Sequence, residues 1–453
     1  MKIDRVIIEG IELLDICECF IYKEVNQHSK AVISGHISDP LEEQYFRKSL
    51  TEEWAVLNGV TTTGDKVQMF GGYIKDFSIL KVNGQKAIRL SLVSGTMLMD
   101  LHRKRLTYQD LSETYVNIVN EIVERYTNGM IIASDRLAVP IGSMKVQYEE
   151  TDWEFVKRLA SCQEQIIVPH ARRESVTFDF GLNEAVVENT ILDILEEAKQ
   201  KEKSGFSYKV KTREFYEIGS KILYHGGSFF VYAASSFYEK QEVVNEYILK
   251  NSHDFSSKQC FNDKIIGASL EAIVTSIERD EVKVQVMGES GVKQKLFPYA
   301  TVYSSPDGTG WYCMPEYGDR VRIYFPTNEE HDAYVINSTH LPVETSGSGI
   351  TEARVNPNHK SIKNKDGKEI LMTPDKILIT NNKGMAIEIN DAEGISIVSN
   401  KKIIMESQEG IDMISKGKGL NIIADEQISL IQSGSSINLK DDVVITGGKI
   451  KNV

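Results

Sequence analysis

The feature that most constrains the fold is a repeat of about eight residues near the end of the chain, over residues 365–453. Pairs of apolar residues separated by one residue recur there, and successive pairs are 8, 8, 8, 9, 8 and 9 residues apart. Gly, Asn, Asp, Ser and Lys fill the gaps, and no proline follows Pro374. The period is too long for one face of a helix and too short for a helical solenoid unit. It predicts one short strand and one tight corner per repeat.

Each repeat supplies two inward-facing apolar side chains, too few for one chain to enclose a core. One turn of a single-chain solenoid needs about twenty residues, so three repeats from three chains fit better. We therefore predict that residues 365–453 form a trimeric, intertwined β-helix or prism. The alternative is a strand-rich sandwich in which the regular spacing is accidental. The predicted trimer core consists of Ile387, Ile389, Ile395, Ile397, Ile403, Met405, Ile411, Met413, Leu420, Ile422, Ile428, Leu430, Ile437 and Leu439.

Two further segments precede this repeat. In residues 265–342, runs such as EVKVQV at 281–286 alternate apolar with polar side chains between turns, which predicts a small antiparallel barrel or sandwich. Residues 343–364 include the run TSGSG and are predicted to be a linker.

Residues 1–260 mix short strands with helical patterns, so the predicted class is mainly β with an α+β N-terminal part. Helices are predicted within residues 105–160 and over residues 186–203. In the first of these ranges, apolar residues recur at helical spacing after residue 108, and Thr151 with Glu154 forms a capping box.

Two stretches carry a resemblance to a known family. Residues 310–326 (GWYCMPEYGDRVRIYFP) resemble the aromatic-Pro-x-x-Gly-acid run in the OB-type barrel of VgrG-type spike proteins and of phage late-control D, or baseplate hub, proteins. Residues 148–160 (YEETDWEFVKRLA) resemble a helical segment of their hub. The order of hub, barrel and repeat matches as well.

The resemblance implies a hub of two related β-barrel domains with helical insertions, formed by residues 1–100 with 150–260. It also implies an OB-type barrel over residues 265–342, with Trp311, Pro315, Gly318 and Phe325 as its framework. Three chains would make a pseudo-sixfold ring that meets a sixfold tail tube.

Composition and motifs argue against other classes of function. The formal net charge of −13 disfavours nucleic acid as a partner, because nucleic-acid binders carry a basic field. The sequence has no nucleophile elbow, P-loop, HExxH or paired zinc ligands, so no catalytic residue, metal or cofactor is predicted. The five cysteines are scattered and are expected to be reduced thiols.

The function predicted from the sequence is structural. The chain is expected to be the homotrimeric hub and spike of a contractile phage tail, a phage-tail-like bacteriocin or a contractile injection system, and to puncture a target envelope. Its expected partners are the tail tube protein, baseplate components, a separate PAAR-type tip protein and effector cargo. Without a signal peptide or an apolar span, it is expected to assemble in the bacterial cytoplasm and to reach the target envelope on contraction. The alternative is a β-helical tailspike that binds a receptor or degrades polysaccharide.

Overall fold

The computed structural model describes residues 2–51, 53–82, 84–202, 205–289, 295–336 and 356–439. The chain divides into two compact units, residues 1–340 and 341–453. Most of the predicted linker, and the predicted shaft beyond residue 439, lie outside the described residues.

The first unit contains three α-helices among its described residues, and most of its elements are strands. The helices are α1 (Glu42–Thr51), α2 (Tyr115–Val123) and α3 (Asp152–Ser161). The strands are β1 (Ile3–Ile8), β2 (Asp15–Glu24), β3 (Lys30–Ile37), β4 (Trp54–Thr61), β5 (Lys66–Val82), β6 (Gln85–Val93), β7 (Arg103–Tyr108), β8 (Met130–Ala133), β9 (Lys145–Thr151), β10 (Ile167–Pro169), β11 (Thr177–Phe180), β12 (Glu188–Thr190), β13 (Ile194–Lys201), β14 (Phe206–Thr212), β15 (Lys221–Tyr224), β16 (Gly227–Glu239), β17 (Glu242–Lys250), β18 (Ser269–Glu278), β19 (Glu281–Val286), β20 (Phe297–Pro298), β21 (Arg320–Tyr324) and β22 (Tyr334–Ile336).

One large sheet organises residues 3–250. Its strands run in the order β1-β4-β5-β6-β3-β2-β16-β17-β14-β13, and β15 and β12 extend from β16. Burial alternates along β3 and along most of β17, because successive side chains of a strand point to opposite faces of the sheet. Two apolar clusters result: one built around Ile33 and Phe70 from the first strands, the other around Val231 and Tyr247.

The helices α2 and α3 pack in a third cluster with the small sheet β10-β11-β8. The Thr151 side chain accepts a hydrogen bond from the Glu154 amide, and the Glu154 carboxylate accepts one from the Thr151 amide. The predicted capping box is therefore confirmed. Helix α2 is shorter than the pattern predicted, because the Thr114 side chain caps it and it ends at Val123.

The predicted helix over residues 186–203 is wrong. This segment forms the strands β12 and β13, and β13 pairs antiparallel with β14 from Ile194 to Lys201. Its Glu, Ala, Lys and Gln residues favour a helix, but all eight side chains of β13 are exposed, so the backbone pairing determines the conformation rather than a buried helical face. The helix α1, in contrast, was not predicted.

The remaining strands of the first unit form a second sheet in the order β20-β19-β18-β21-β22. An isolated β-bridge pairs Tyr299, which follows β20, with Val335 in β22. It therefore links the two ends of this strand order. The core of this sheet contains Val284 and Phe325, and Met144 and Val146, just before and within β9, pack into the same cluster. The predicted strands in residues 281–286 and 320–325 are confirmed as β19 and β21.

The second unit is built of antiparallel strands. They are β23 (Lys360–Lys363), β24 (Glu369–Met372), β25 (Lys376–Thr380), β26 (Met385–Asn390), β27 (Gly394–Ser399), β28 (Ile428–Gln432) and β29 (Ser435–Leu439). The first five pair in sequence order as a meander, and the last two form a hairpin. Successive strands thus pair within one chain from β23 to β27, whereas the predicted intertwined arrangement pairs repeats of different chains.

Candidate functional site

The candidate site is one face of the meander β23–β27, which we call the apolar face. Two rows of side chains cross it through directly paired residues. One row is Ile362, Ile370, Ile379, Ile387 and Ile397, and the other is Met372, Ile377, Ile389 and Ile395. These nine side chains are between 40% and 73% exposed. A sheet with one apolar face normally packs that face against a core, whereas these side chains are exposed.

The reverse face of the same sheet carries charged and polar side chains together with a few apolar ones. Lys363 and Glu369 form an ion pair of 3.2 Å, and Lys376 and Glu388 form one of 3.3 Å. Ser396 lies on this face too, but so do Leu371 and Leu378, which pair directly, and Val398. The two faces therefore differ, and the apolar face is the one that burial would stabilise.

Tight turns set the pairing register that builds this face. The turn between β25 and β26 has Asn382 and Gly384 at positive φ, and its closing hydrogen bond joins the Asn381 amide to the Met385 carbonyl at 3.2 Å. Gly394, with φ of 95°, begins β27 after the next turn. A slip of one residue would move the apolar side chains of a strand to the reverse face, so these turns fix which side chains form the apolar face.

The predicted core residues fall into three groups in this unit. Ile387, Ile389, Ile395 and Ile397 lie together on the apolar face. In the β28–β29 hairpin Leu430 pairs with Ile437 and Ile428 with Leu439, while the Leu439 side chain lies outside what the structure describes. The third group lies between β27 and β28, in described residues without regular strands, and its side chains are more than half exposed: Ile403, Met405, Ile411, Met413, Leu420 and Ile422.

Sequence reasoning missed the first half of the apolar face, which β23, β24 and β25 supply. The same apolar-x-apolar signal is present at Ile370 with Met372 and at Ile377 with Ile379. Its steps are irregular, because the Thr373–Lys376 turn containing Pro374 is short and the turn at 381–384 is longer. A search that tolerated steps of seven to ten residues would have found these pairs.

The four predicted framework residues of the barrel have different environments. Phe325 is fully buried, and Gly318 adopts a φ of +88° in the turn before β21, where its amide donates to the Val274 carbonyl at 2.9 Å. Pro315 is half-buried. Trp311 lies in the segment between β20 and β21 and is 51% exposed, so it is not a core residue within the single chain.

One group of described residues brings potential metal ligands together in the first unit: Asp15, Cys17 and His36. Motif spacing could not reveal it, because the ligands come from two paired strands rather than from one motif. Among the described residues no helix has the length and apolar character to cross a membrane.

Comparisons with known proteins point to one class. Residues 52–168 match the family model for the phage tail baseplate hub (GPD). One similar solved structure is that of the E. coli c3393 protein, a type VI secretion system component described as similar to the T4 tail proteins gp27 and gp5. It aligns with a TM-score of 0.52 and 13% sequence identity, and the alignment covers 73% of this chain and 99% of that one. A chain of the lidded Francisella PdpA-VgrG complex aligns with a TM-score of 0.54 and 10% identity, covering 85% of this chain and 76% of that one. No curated protein matches the sequence.

Both comparisons point to baseplate hub and spike-like structural proteins: the family model matches residues 52–168 of this chain, and the solved structures share its fold. The resemblance predicted from the sequence, to the VgrG and phage late-control D family, is therefore confirmed.

Proposed function

We propose that this chain is the homotrimeric hub and spike of a contractile phage tail, a phage-tail-like bacteriocin or an injection system. Three copies would bring their apolar faces together around one axis to form a shaft, and the hub would adapt the sixfold tube to it. The spike would puncture the target envelope when the sheath contracts. In this role the chain transmits force and catalyses no reaction.

The observation that carries the proposal is the uncovered apolar face. A single-layer sheet that exposes nine large apolar side chains in two rows gains stability only when something covers them. Burying them would contribute on the order of 10 kcal/mol per chain before the costs of association. Three identical faces meeting at a threefold axis cover each other, so the partner that completes the fold is a second and a third copy of this chain.

Residues 400–427 support the same arrangement. The repeat continues there at the same period, but the single chain forms no regular strands over this range. Backbone amides and carbonyls that lack partners within the chain would pair with strands of the other two chains. In this proposal, residues 400–427 form the intertwined β-helix that was predicted from the sequence.

The remaining partners follow from the proposed role. The hub would contact the tail tube protein and baseplate components, and the narrow end of the shaft would carry a PAAR-type tip protein, with effector cargo in an injection system. The five-stranded sheet of residues 269–336, which we propose is the OB-type barrel, would join hub and shaft.

Two neighbouring residues of β27 test the proposal. Ile397 lies on the apolar face and Val398 on the reverse face, and their exposed fractions in the single chain are nearly equal at 59% and 57%. Ile397→Asp would place three carboxylates near the proposed axis and should abolish the trimer, since buried unpaired charges are very costly. Val398→Asp should leave the trimer intact. Native mass spectrometry of both variants measures this, and equal behaviour of the two would contradict the proposal.

A further inference from the structure

The start of β2 and the end of β3 bring three potential metal ligands of different chemistry together. Asp15 pairs directly with His36 across the two strands. The Nδ1 atom of His36 lies 2.7 Å from Oδ1 of Asp15 and 3.6 Å from Sγ of Cys17. All three potential ligand atoms lie within 4.8 Å of one another.

A β-bulge places the thiol in this group. The register shifts between Ile16 and Glu18, so Cys17 is an extra residue with no directly opposed partner on β3. Bulges commonly re-aim a side chain, and here the Cys17 thiol lies on the same side of the strand pair as Asp15 and His36.

The two strands approach very closely at this point. A Cβ atom on Gly35 would lie 2.2 Å from the backbone oxygen of Asp15, so only glycine fits there. The Leu14 amide also donates to the His36 carbonyl at 2.8 Å. The backbone thus holds the three side chains together before any ligand binds, which reduces the entropic cost of forming a site.

We propose that Asp15, Cys17 and His36 form a binding site for a zinc ion. Thiolate, imidazole and carboxylate are the three side-chain ligands that zinc accepts, and the thiolate disfavours magnesium and calcium. Tetrahedral zinc with bonds of about 2.1 Å to nitrogen and about 2.3 Å to sulfur separates those atoms by about 3.6 Å. The Nδ1–Sγ distance of 3.6 Å matches this, and the Asp15 carboxylate would move away from Nδ1 by about 0.7 Å to complete the geometry.

The proposed site has room for a fourth ligand. The side chain of Asp15 is 61% exposed and that of His36 is 28% exposed, and Cys17 is exposed as well. Three protein ligands with solvent access leave one coordination position for water or for a side chain of another protein chain. The bound ion would tie the start of β2 to the end of β3 at the bulge. This inference does not depend on the proposed function.

Metal titration of the full-length chain tests the site. The chelator-treated protein, kept reduced, is titrated with Zn²⁺ and with Co²⁺, whose spectrum reports the ligands. We expect one ion per chain and a thiolate-to-cobalt charge-transfer band. Cys17→Ser should remove that band, and Cys17→Ser and His36→Gln should each weaken Zn²⁺ binding at least about tenfold.

Cys260→Ser is the matched control, since Cys260 is also an exposed cysteine but belongs to no such group among the described residues. It should keep the charge-transfer band and the affinity for Zn²⁺. Zn²⁺ should also raise the Tm of the wild type and of Cys260→Ser but not that of Cys17→Ser. A wild-type cobalt spectrum without a thiolate band, or a band that survives Cys17→Ser, would overturn the proposal.

Discussion

Arg158 shows how a single side chain couples the parts of the first unit. Its guanidinium forms two hydrogen bonds to Glu150, at 2.9 and 2.8 Å, and one to Glu330 at 2.7 Å, and all three residues are buried. Burial alone would lower the pKa of Arg158, but the hydrogen bonds to Glu150 and the charge of Glu330 raise it above its ordinary value. Because Glu330 precedes β22, this cluster joins helix α3 to the five-stranded sheet.

Removing this guanidinium should therefore be costly. Arg158→Met would leave two buried carboxylates without their partner, and we expect a loss of about 3 to 5 kcal/mol in the free energy of unfolding. Urea denaturation measures this. Arg136→Met is the control, because Arg136 pairs with Glu184 in an exposed position and its loss should change stability by less than about 1 kcal/mol. Similar losses in the two variants would contradict the coupling role of Arg158.

Glu217 should make the stability of the folded protein depend on pH. Glu217 contacts Lys23 and Arg172. Burial would raise the pKa of Glu217, but these two cations outweigh it and hold the pKa below its ordinary value of 4.5. A carboxyl with a lowered folded pKa stabilises the protein above its unfolded pKa, and this contribution is lost as the pH falls through the folded pKa.

Glu217→Gln should consequently flatten the acid limb of the stability profile. Between about pH 5 and about pH 3 the wild type should lose more free energy of unfolding than the variant, because only the wild type must protonate this carboxylate. Denaturation curves at several pH values measure the difference. An equal or steeper fall in the variant would show that the contacts of Glu217 with Lys23 and Arg172 do not stabilise the folded protein in this way.

Among the secondary-structure elements, the N-terminus of α3 was predicted best, because its capping box is present as expected. Thr151→Ala should cost about 1 to 2 kcal/mol, because the Thr151 side chain caps α3 and also donates to Asp100 at 2.5 Å. Thermal unfolding measures it. Thr151→Ser retains the capping oxygen and should stay within about 0.5 kcal/mol of the wild type. A Thr151→Ser variant as unstable as Thr151→Ala would assign the effect to the lost methyl group instead.

The strand β13 shows where the prediction from the sequence was wrong. The capping box was predictable because it depends on local residues alone, whereas β13 depends on pairing with β14, which follows it in the chain. Helix-favouring composition could not reveal that partner. For the candidate site, the apolar alternation of β26 and β27 was predictable from its period. Their antiparallel pairing within one chain was not, because a two-residue period specifies a face and not a neighbour.

In the whole molecule, the residues beyond β27 must also belong to the proposed trimer. Ile411 and Met413 are 51% and 56% exposed in the single chain. Replacing both with Asp should abolish the trimer, because three copies of each charge would be buried together without partners. Size-exclusion chromatography with light scattering measures this. A double variant that remains a stable trimer would contradict the role of the repeat between β27 and β28.

The most direct test of the proposed trimeric spike is the solution mass of the full-length chain, measured by light scattering over a range of concentrations. The proposed spike consists of three copies, so the predicted mass is three times 51.0 kDa, unchanged on dilution. A monodisperse species of 51.0 kDa would show that the apolar face remains uncovered in solution, and would contradict the proposed spike.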